Sequence, residues 1–311
     1  MKIGVRVPND GPIVSRDNLK TLALTAEEVG YDSIFVHDHI LVPDNTWSPF
    51  FDPLISLASI ASLTERIRLG TSIYLLPLRN PLIAAKQFAT LDQMSNGRLI
   101  VGVGVGYLQE EYTALHVPFN KRGSITDEYL VALKLLWTNS RASIKGKFVN
   151  FEDVDSSPKP VQKPYPPIWI GGASEAATIR ALKYGDGRLT LGGPQGVSKE
   201  MKRLKTHAQA LGRDVNRLTI VAEPWVSLDE NIDDAVNRAF ESPLIRQRFP
   251  NREDFARDSL VGSHDDVLKK LETFSNAGAD YLELRFVTER VSFEATFKMM
   301  RQFAEWLPEF D

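Results

Sequence analysis

Glu28-Val29-Gly30-Tyr31-Asp32-Ser33-Ile34-Phe35-Val36 joins the end of one helix to the start of one strand. The segment 17–29 before it has helical period, with Leu19, Leu22, Ala26 and Val29 on one face. Glycine at the helix C-terminus permits a left-handed turn, and the apolar β-branched run that follows reads as a strand over 33–36. The same joint recurs at Lys183-Tyr184-Gly185-Asp186 and at Asn276-Ala277-Gly278-Ala279-Asp280. Gly-Asp pairs are common in loops of any kind. Three copies, all at helix-to-strand junctions, argue for a repeated βα unit.

Working outward from these joints, strands are predicted over 3–7, 33–36, 67–75, 99–105, 167–170, 188–191, 218–226 and 281–286. Helical patterns lie between them. One is opened by Asn80-Pro81, a cap followed by proline at the first helical position. Another is opened by the capping box Ser263-His264-Asp265-Asp266. Strands alternating with helices predict a parallel sheet with crossover helices, and the number of units fits a (β/α)8 TIM barrel formed as a single domain over 1–311. A doubly wound open sheet is the alternative. Two segments interrupt the alternation and read as insertions. The first, 141–166 after strand 4, is rich in proline and could hold a hairpin. The second begins near Pro224 after strand 7 and includes 243–250.

The composition narrows the classes of function. The chain has 311 residues, 43% hydrophobic and 25% charged, with 37 basic and 40 acidic side chains for a net charge of −3. That balance lacks the basic excess of a nucleic-acid or anionic-membrane surface, so neither partner is expected. Cysteine is absent, which excludes disulfides, thiolate nucleophiles and Cys-bound metal sites. The N-terminal run is too short for a secretory signal, and no window reaches the apolar length of a membrane span. A soluble cytoplasmic protein acting on a small molecule is expected.

In such a barrel, chemistry gathers at the C-terminal ends of the strands. His37-Asp38-His39 stands at one such end. A metal site would need further ligands at later strand ends, but His116, His207 and His264 fall in loops or helices, so no metal is expected. A histidine there could instead exchange a proton with a bound ring, or simply make loop contacts. Gly102-Val103-Gly104-Val105-Gly106 lacks the third glycine of a dinucleotide fingerprint, since that place is Tyr107. These glycines let something planar, or another backbone, come close, or they serve tight barrel packing. Gly171-Gly172-Ala173-Ser174 follows an apolar strand and opens a helix, which suits an anion. Ser174 could cap that helix or donate to a phosphate. Arg188 could add a cation to the same anion, or lie on the surface. Glu223-Pro224-Trp225 and Arg285-Phe286 complete the strand-end candidates.

At these residues the sequence resembles the bacterial luciferase-like flavin oxidoreductases along nearly its whole length. The matching stretches are Ala26 to Phe35 leading to Asp38-His39, and Arg68-Leu69-Gly70-Thr71-Ser72. Ser95-Asn96-Gly97-Arg98 before the glycine strand and Pro166-Pro167-Ile168-Trp169-Ile170-Gly171-Gly172 also match. Phe119 to Arg122-Gly123 and Asp127-Glu128 through Leu136-Trp137 resemble the branch assigned to coenzyme F420. The resemblance implies a homodimeric barrel oxidoreductase that moves a hydride between coenzyme F420 and a small organic substrate. The alternatives are an FMN-dependent monooxygenase and a barrel that binds flavin without turnover. It further implies that His39 exchanges the proton, with Asp38 orienting it. Thr71, Ser72, Ile73 and Gly104 would border the ring, with a non-prolyl cis peptide at Ser72-Ile73. Gly171, Gly172, Ala173 and Ser174 would hold the phosphate, with Arg188 beside them. The sequence departs from the sugar-phosphate dehydrogenases of this family, which carry glutamate where Tyr107 stands and tryptophan where Pro43 stands.

Overall fold

The computed structural model describes residues 1–42 and 48–309. Eight parallel strands close into a barrel: β1 (Lys2–Arg6), β2 (Ser33–Val36), β3 (Arg68–Thr71), β5 (Leu99–Gly104), β8 (Ile168–Ile170), β9 (Gly187–Thr190), β10 (Thr219–Ala222) and β13 (Tyr281–Phe286). Closure is made by β13 pairing with β1, Lys2 opposite Tyr281 through Val5 opposite Leu284. A two-residue strand, β4 (Tyr74–Leu75), follows β3 and also pairs with β5. The fold is thus the expected (β/α)8 barrel, and the open sheet is set aside.

The helices wrap the outside. They are α1 (Arg16–Glu28), α2 (Pro53–Ala61), α3 (Pro81–Met94), α4 (Gln109–Ala114), α5 (Arg122–Thr138) and α6 (Glu175–Tyr184). After them come α7 (Pro194–Leu211), α8 (Ile232–Ala239), α9 (Pro243–Arg248), α10 (Arg252–Asp258), α11 (His264–Asn276) and α12 (Phe293–Ala304). Their starts are set locally. Ser15, Asp52, Asn80 and Ser174 each accept a backbone N–H of the first turn, and Ser263 with Asp266 forms the reciprocal capping box. At the opening joint Gly30 is left-handed at φ +94°, and Tyr31 N–H closes the turn onto the Ala26 carbonyl. The main core lies between strands and helices, where Leu22, Ile34, Leu69, Phe88, Val101 and Leu133 are among the buried side chains. Inside the barrel, Phe35, Ile100, Trp169, Leu189, Val221 and Tyr281 pack as a second cluster.

Two insertions leave the regular pattern. An antiparallel hairpin, β6 (Ala142–Lys145) and β7 (Asn150–Val154), lies between α5 and β8. The run expected as one strand over 218–226 is two strands instead. Proline cannot donate to a ladder, and at Glu223-Pro224 the chain ends β10 and starts β11 (Trp225–Leu228). β11 then pairs with the outer end of β13 and with β12 (Leu260–Gly262), carrying α8, α9 and α10 over the strand ends. The strand expected over 67–75 is likewise interrupted, at Ser72-Ile73, whose peptide bond is cis. Among the described residues no helix is long and apolar enough to cross a membrane.

Candidate active site

A cavity of about 540 Å³ opens at the C-terminal ends of the barrel strands. Its wall begins with the cis Ser72-Ile73 bond between β3 and β4. Three glycines make room for that bulge. A Cβ on Gly102 would stand 1.8 Å from the Thr71 carbonyl oxygen, one on Gly104 2.2 Å from Ile73 Cδ1, and one on Gly171 2.7 Å from Ile73 Cγ2. The glycines of β5 therefore admit another backbone and the Ile73 side chain. Ile73, Gly104 and Gly171 then border the cavity together.

His39 and Glu111 form the most polar corner. His39 follows β2, and its Nδ1 lies 3.1 Å from Glu111 Oε1 on α4. The same oxygen accepts the backbone N–H groups of Ile40 at 2.6 Å and Leu41 at 3.2 Å. Glu111 is fully buried. An ionised carboxylate can only accept, so when Glu111 is ionised and the imidazole carries one proton, this contact favours that proton on Nδ1 and leaves Nε2 as the acceptor. The exposed ring of Tyr107 meets His39 edge-on at 5.4 Å between centroids.

Across the cavity, β8 runs into Gly171-Gly172-Ala173-Ser174 and the N-terminus of α6. Gly172 has φ +118°, which favours glycine. Ser174 caps α6 by accepting Ala177 N–H at 3.3 Å and also lines the cavity. Backbone N–H groups and the helix dipole thus converge on one small-residue loop.

The cavity floor is charged. Arg6 donates to Glu283 at 2.7 Å and to Glu223 and Ser72 Oγ at 2.8 and 3.1 Å. Burial pushes the Glu283 carboxyl up to about 7, against the pull of Arg6. Arg285 lies 3.8 Å over the Trp225 ring and donates to Glu289 at 2.9 Å. Burial, with neighbouring Arg6, pushes it down to about 9.

A sequence profile described as luciferase-like monooxygenase matches residues 1–253. The chain belongs to the luciferase-like monooxygenase family. An F420-dependent glucose-6-phosphate dehydrogenase of Kineococcus radiotolerans is 31% identical over 234 residues, covering 73% of this chain and 68% of that protein. An FMNH2-dependent dimethylsulfone monooxygenase of Pseudomonas putida is 31% identical over 230 residues, covering 69% and 63%. The solved structure of monooxygenase RslO1 from Streptomyces bottropensis superposes with a TM-score of 0.85 over the whole of both chains, at 26% identity. The chain is therefore an oxidoreductase of a family that includes both F420-dependent and FMN-dependent enzymes.

Several site residues of this luciferase-like protein stand elsewhere than the sequence suggests. Asp38 does not orient His39. Its carboxylate is held by Arg79 at 2.5 and 2.8 Å and by Leu75 N–H at 2.8 Å, and burial raises its pKa despite the arginine. Orientation of His39 falls to Glu111. Arg188 is not a surface arginine, and it borders a smaller cavity of about 290 Å³ behind the glycine loop rather than the main one. It is 1% exposed and is engaged by Glu200 at 2.8 Å and by the carbonyls of Ile170 and Gly172, so it braces the glycine loop from behind. Thr71 is fully buried outside the cavity lining and ties β3 to β5 by donating to the Gly102 carbonyl at 2.7 Å. His37 pairs with Asp10 at 2.6 Å, and burial pushes it down to about 4. Pro43 and Trp47, at the place of the family tryptophan, lie outside the described residues.

Arg6, Glu111 and Glu283 were not among the sequence candidates. Arg6 and Glu283 had a signal, since each is a charge inside a predicted buried strand. Glu111 had none, because nothing in Glu110-Glu111 says which side chain turns inward.

Proposed function

We propose that this protein transfers a hydride between coenzyme F420 and a small organic substrate. The observation that carries the reading is the pairing of His39 with buried Glu111 at the cavity edge, opposite the glycine loop. The cavity fits the group, since about 540 Å³ is within the usual range for a cofactor site. Ile73 backs it between two glycines, and the capped N-terminus of α6 suits a phosphate. The bound deazaflavin supplies the hydride chemistry, accepting or donating it at the ring.

The residues of the chain do the rest. Ser72, Ile73 and Gly104 form the wall against which a ring lies. In the loop Gly171, Gly172, Ala173 and Ser174, the Gly171 N–H is taken by the Val103 carbonyl at 2.9 Å, so the backbone N–H groups of Gly172, Ala173 and Ser174 and the Ser174 hydroxyl are offered to the phosphate. His39 holds the proton: its Nε2 takes one when a substrate hydroxyl is oxidised and returns it in the reverse direction. Glu111 keeps that nitrogen free of its own proton and steadies the ring when it becomes cationic. The floor of Arg6, Glu223 and Arg285 faces the substrate end with fixed polar groups.

Equilibrium binding of F420 and of FMN, measured separately, tests the reading. Micromolar or tighter F420 binding with weaker FMN binding is expected. Tight FMN binding with no F420 binding overturns it in favour of a flavin monooxygenase. Replacement of His39 by alanine is expected to lower turnover by about 100-fold or more while cofactor affinity changes little.

A further inference from the structure

On the barrel face away from the glycine loop, the starts of β8, β9 and β10 meet the C-terminal ends of α6 and α7 around a cavity of about 410 Å³. Tyr165 precedes β8, Asp186 precedes β9 and Arg217 precedes β10. Lys134 comes from α5, and Arg213 and Asp214 follow α7. Three cations and two carboxylates therefore share this wall with one aromatic ring. Among the described residues none of the three cations makes an ion pair. Two of them are nevertheless held in place. Arg213 donates Nε to the Leu182 carbonyl at 2.9 Å and Nη2 to the Lys183 carbonyl at 3.0 Å, in the last turn of α6. Its Nη1 has no acceptor among the described residues. Lys134 Nζ lies 4.8 Å from the centroid of the Tyr165 ring. Each carboxylate uses one oxygen on the backbone: Asp186 Oδ2 accepts Ile168 N–H at 3.0 Å, and Asp214 Oδ1 accepts Asn216 N–H at 3.0 Å. The second oxygen of each has no donor among the described residues.

We propose that this cavity is a second binding site, for a phosphorylated polyhydroxy metabolite of the sugar-phosphate class. Guanidinium edges and an ammonium group suit a phosphate dianion. A carboxylate oxygen only accepts, so the two aspartates suit hydroxyl donors, which a bare anion does not carry. They also repel a bare anion, so the mixed set selects for a ligand with both kinds of group. The Tyr165 ring adds an apolar wall. The volume lies within the range of about 300–1,000 Å³ usual for small-molecule sites. Arg213 is already ordered by the end of α6, which lowers the entropy lost on binding. The site lies at the opposite end of the barrel from His39, and the inference is independent of which cofactor the barrel takes.

Calorimetric titration of the intact protein with ribose 5-phosphate, ribose and inorganic phosphate tests the site. Ribose 5-phosphate is expected to bind at one site, about tenfold or more tighter than either of the others. In the double variant Lys134→Gln/Arg217→Gln its affinity should fall about tenfold, since two partly exposed charged contacts are lost. Asp214→Ala should narrow the advantage over inorganic phosphate several-fold, because a hydroxyl acceptor and a repulsive charge go together. Melting temperatures check that both variants remain folded. Absence of ribose 5-phosphate binding overturns the proposal, and so does inorganic phosphate binding as tightly as the sugar phosphate. Affinity unchanged in the double variant places the ligand elsewhere and overturns it too.

Discussion

Replacing Glu111 by glutamine keeps the shape of the side chain and removes its charge. In the wild type a single oxygen serves three donors, at 2.6 Å from Ile40, 3.1 Å from His39 and 3.2 Å from Leu41. The glutamine carbonyl can still accept the two backbone N–H groups, so the 39–41 turn should persist. What changes is the bond to His39. A hydrogen bond to a charged partner contributes about 1.5–3 kcal/mol, against about 0.5–1.5 for a neutral one. The charged bond alone biases the imidazole towards Nδ1–H by about 10–150-fold. Glutamine loses about 1–1.5 kcal/mol of that bias, or about tenfold, and its amide can also turn an NH2 towards the ring and favour the other tautomer. Nitrogen-15 NMR of the five histidines, with His39 assigned by its alanine variant, reads the tautomer directly and needs no substrate. The wild type should show His39 as Nδ1–H at mildly alkaline pH, and Glu111→Gln a mixture. A wild-type His39 protonated at Nε2 would refute Glu111 as the residue that orients it.

Gly102→Ala should lower the melting temperature by about 2–6 °C, since overpacking costs about 1–3 kcal/mol and its Cβ would meet the Thr71 carbonyl oxygen at 1.8 Å. Gly30→Ala, with nothing within 4 Å but a φ of +94°, should cost only the left-handed strain of about 1–2 kcal/mol and spare cofactor binding. Differential scanning fluorimetry and cofactor titration check both. Ser174→Ala should lose about 1 kcal/mol of capping, and a further loss of cofactor affinity would show that the hydroxyl also meets the phosphate. Two groups should tilt stability against pH in opposite directions. Between about pH 4.5 and 7 folded Glu283 keeps a proton that the unfolded chain has lost, so its contribution declines as pH rises through about 7. Between about pH 4 and 6.5 unfolded His37 binds a proton that the folded state refuses, so its contribution grows with pH. Glu283→Gln removes the first trend, and the slope of melting temperature against pH from 4.5 to 7 should become more positive than in the wild type.

The sequence by itself determined the architecture. Helix ends at left-handed Gly30 and Gly278, caps at Asn80 and Ser263, and apolar strands between them are local signals, whereas Gly185 ends α6 in an extended conformation at φ −93°, not in the expected left-handed turn. Each unit announces its own start and stop because capping and turn chemistry depend on neighbours a few residues away. The small-residue loop 171–174 was legible for the same reason, as was His39 at a strand end. The split at Pro224 was marked by the proline, yet the pairing of β11 with β13 beyond it was not.

Tertiary structure decided who holds whom. Asp38 is adjacent to His39 in sequence but turns to Arg79, 41 positions away, while Glu111, 72 positions away, takes the histidine. Successive side chains leaving a strand point in opposite directions, so adjacency in sequence is no guide to contact. Arg188 looked available because a strand end can face outward, but closure of the barrel buried its guanidinium behind Gly172 beside Glu200. The glycines of β5 could be read as space without saying for what. Only the packed barrel, with the Thr71 carbonyl and Ile73 against them, shows what fills it. Long-range contacts like these depend on how strands register around a closed sheet, and no local pattern encodes that partner choice.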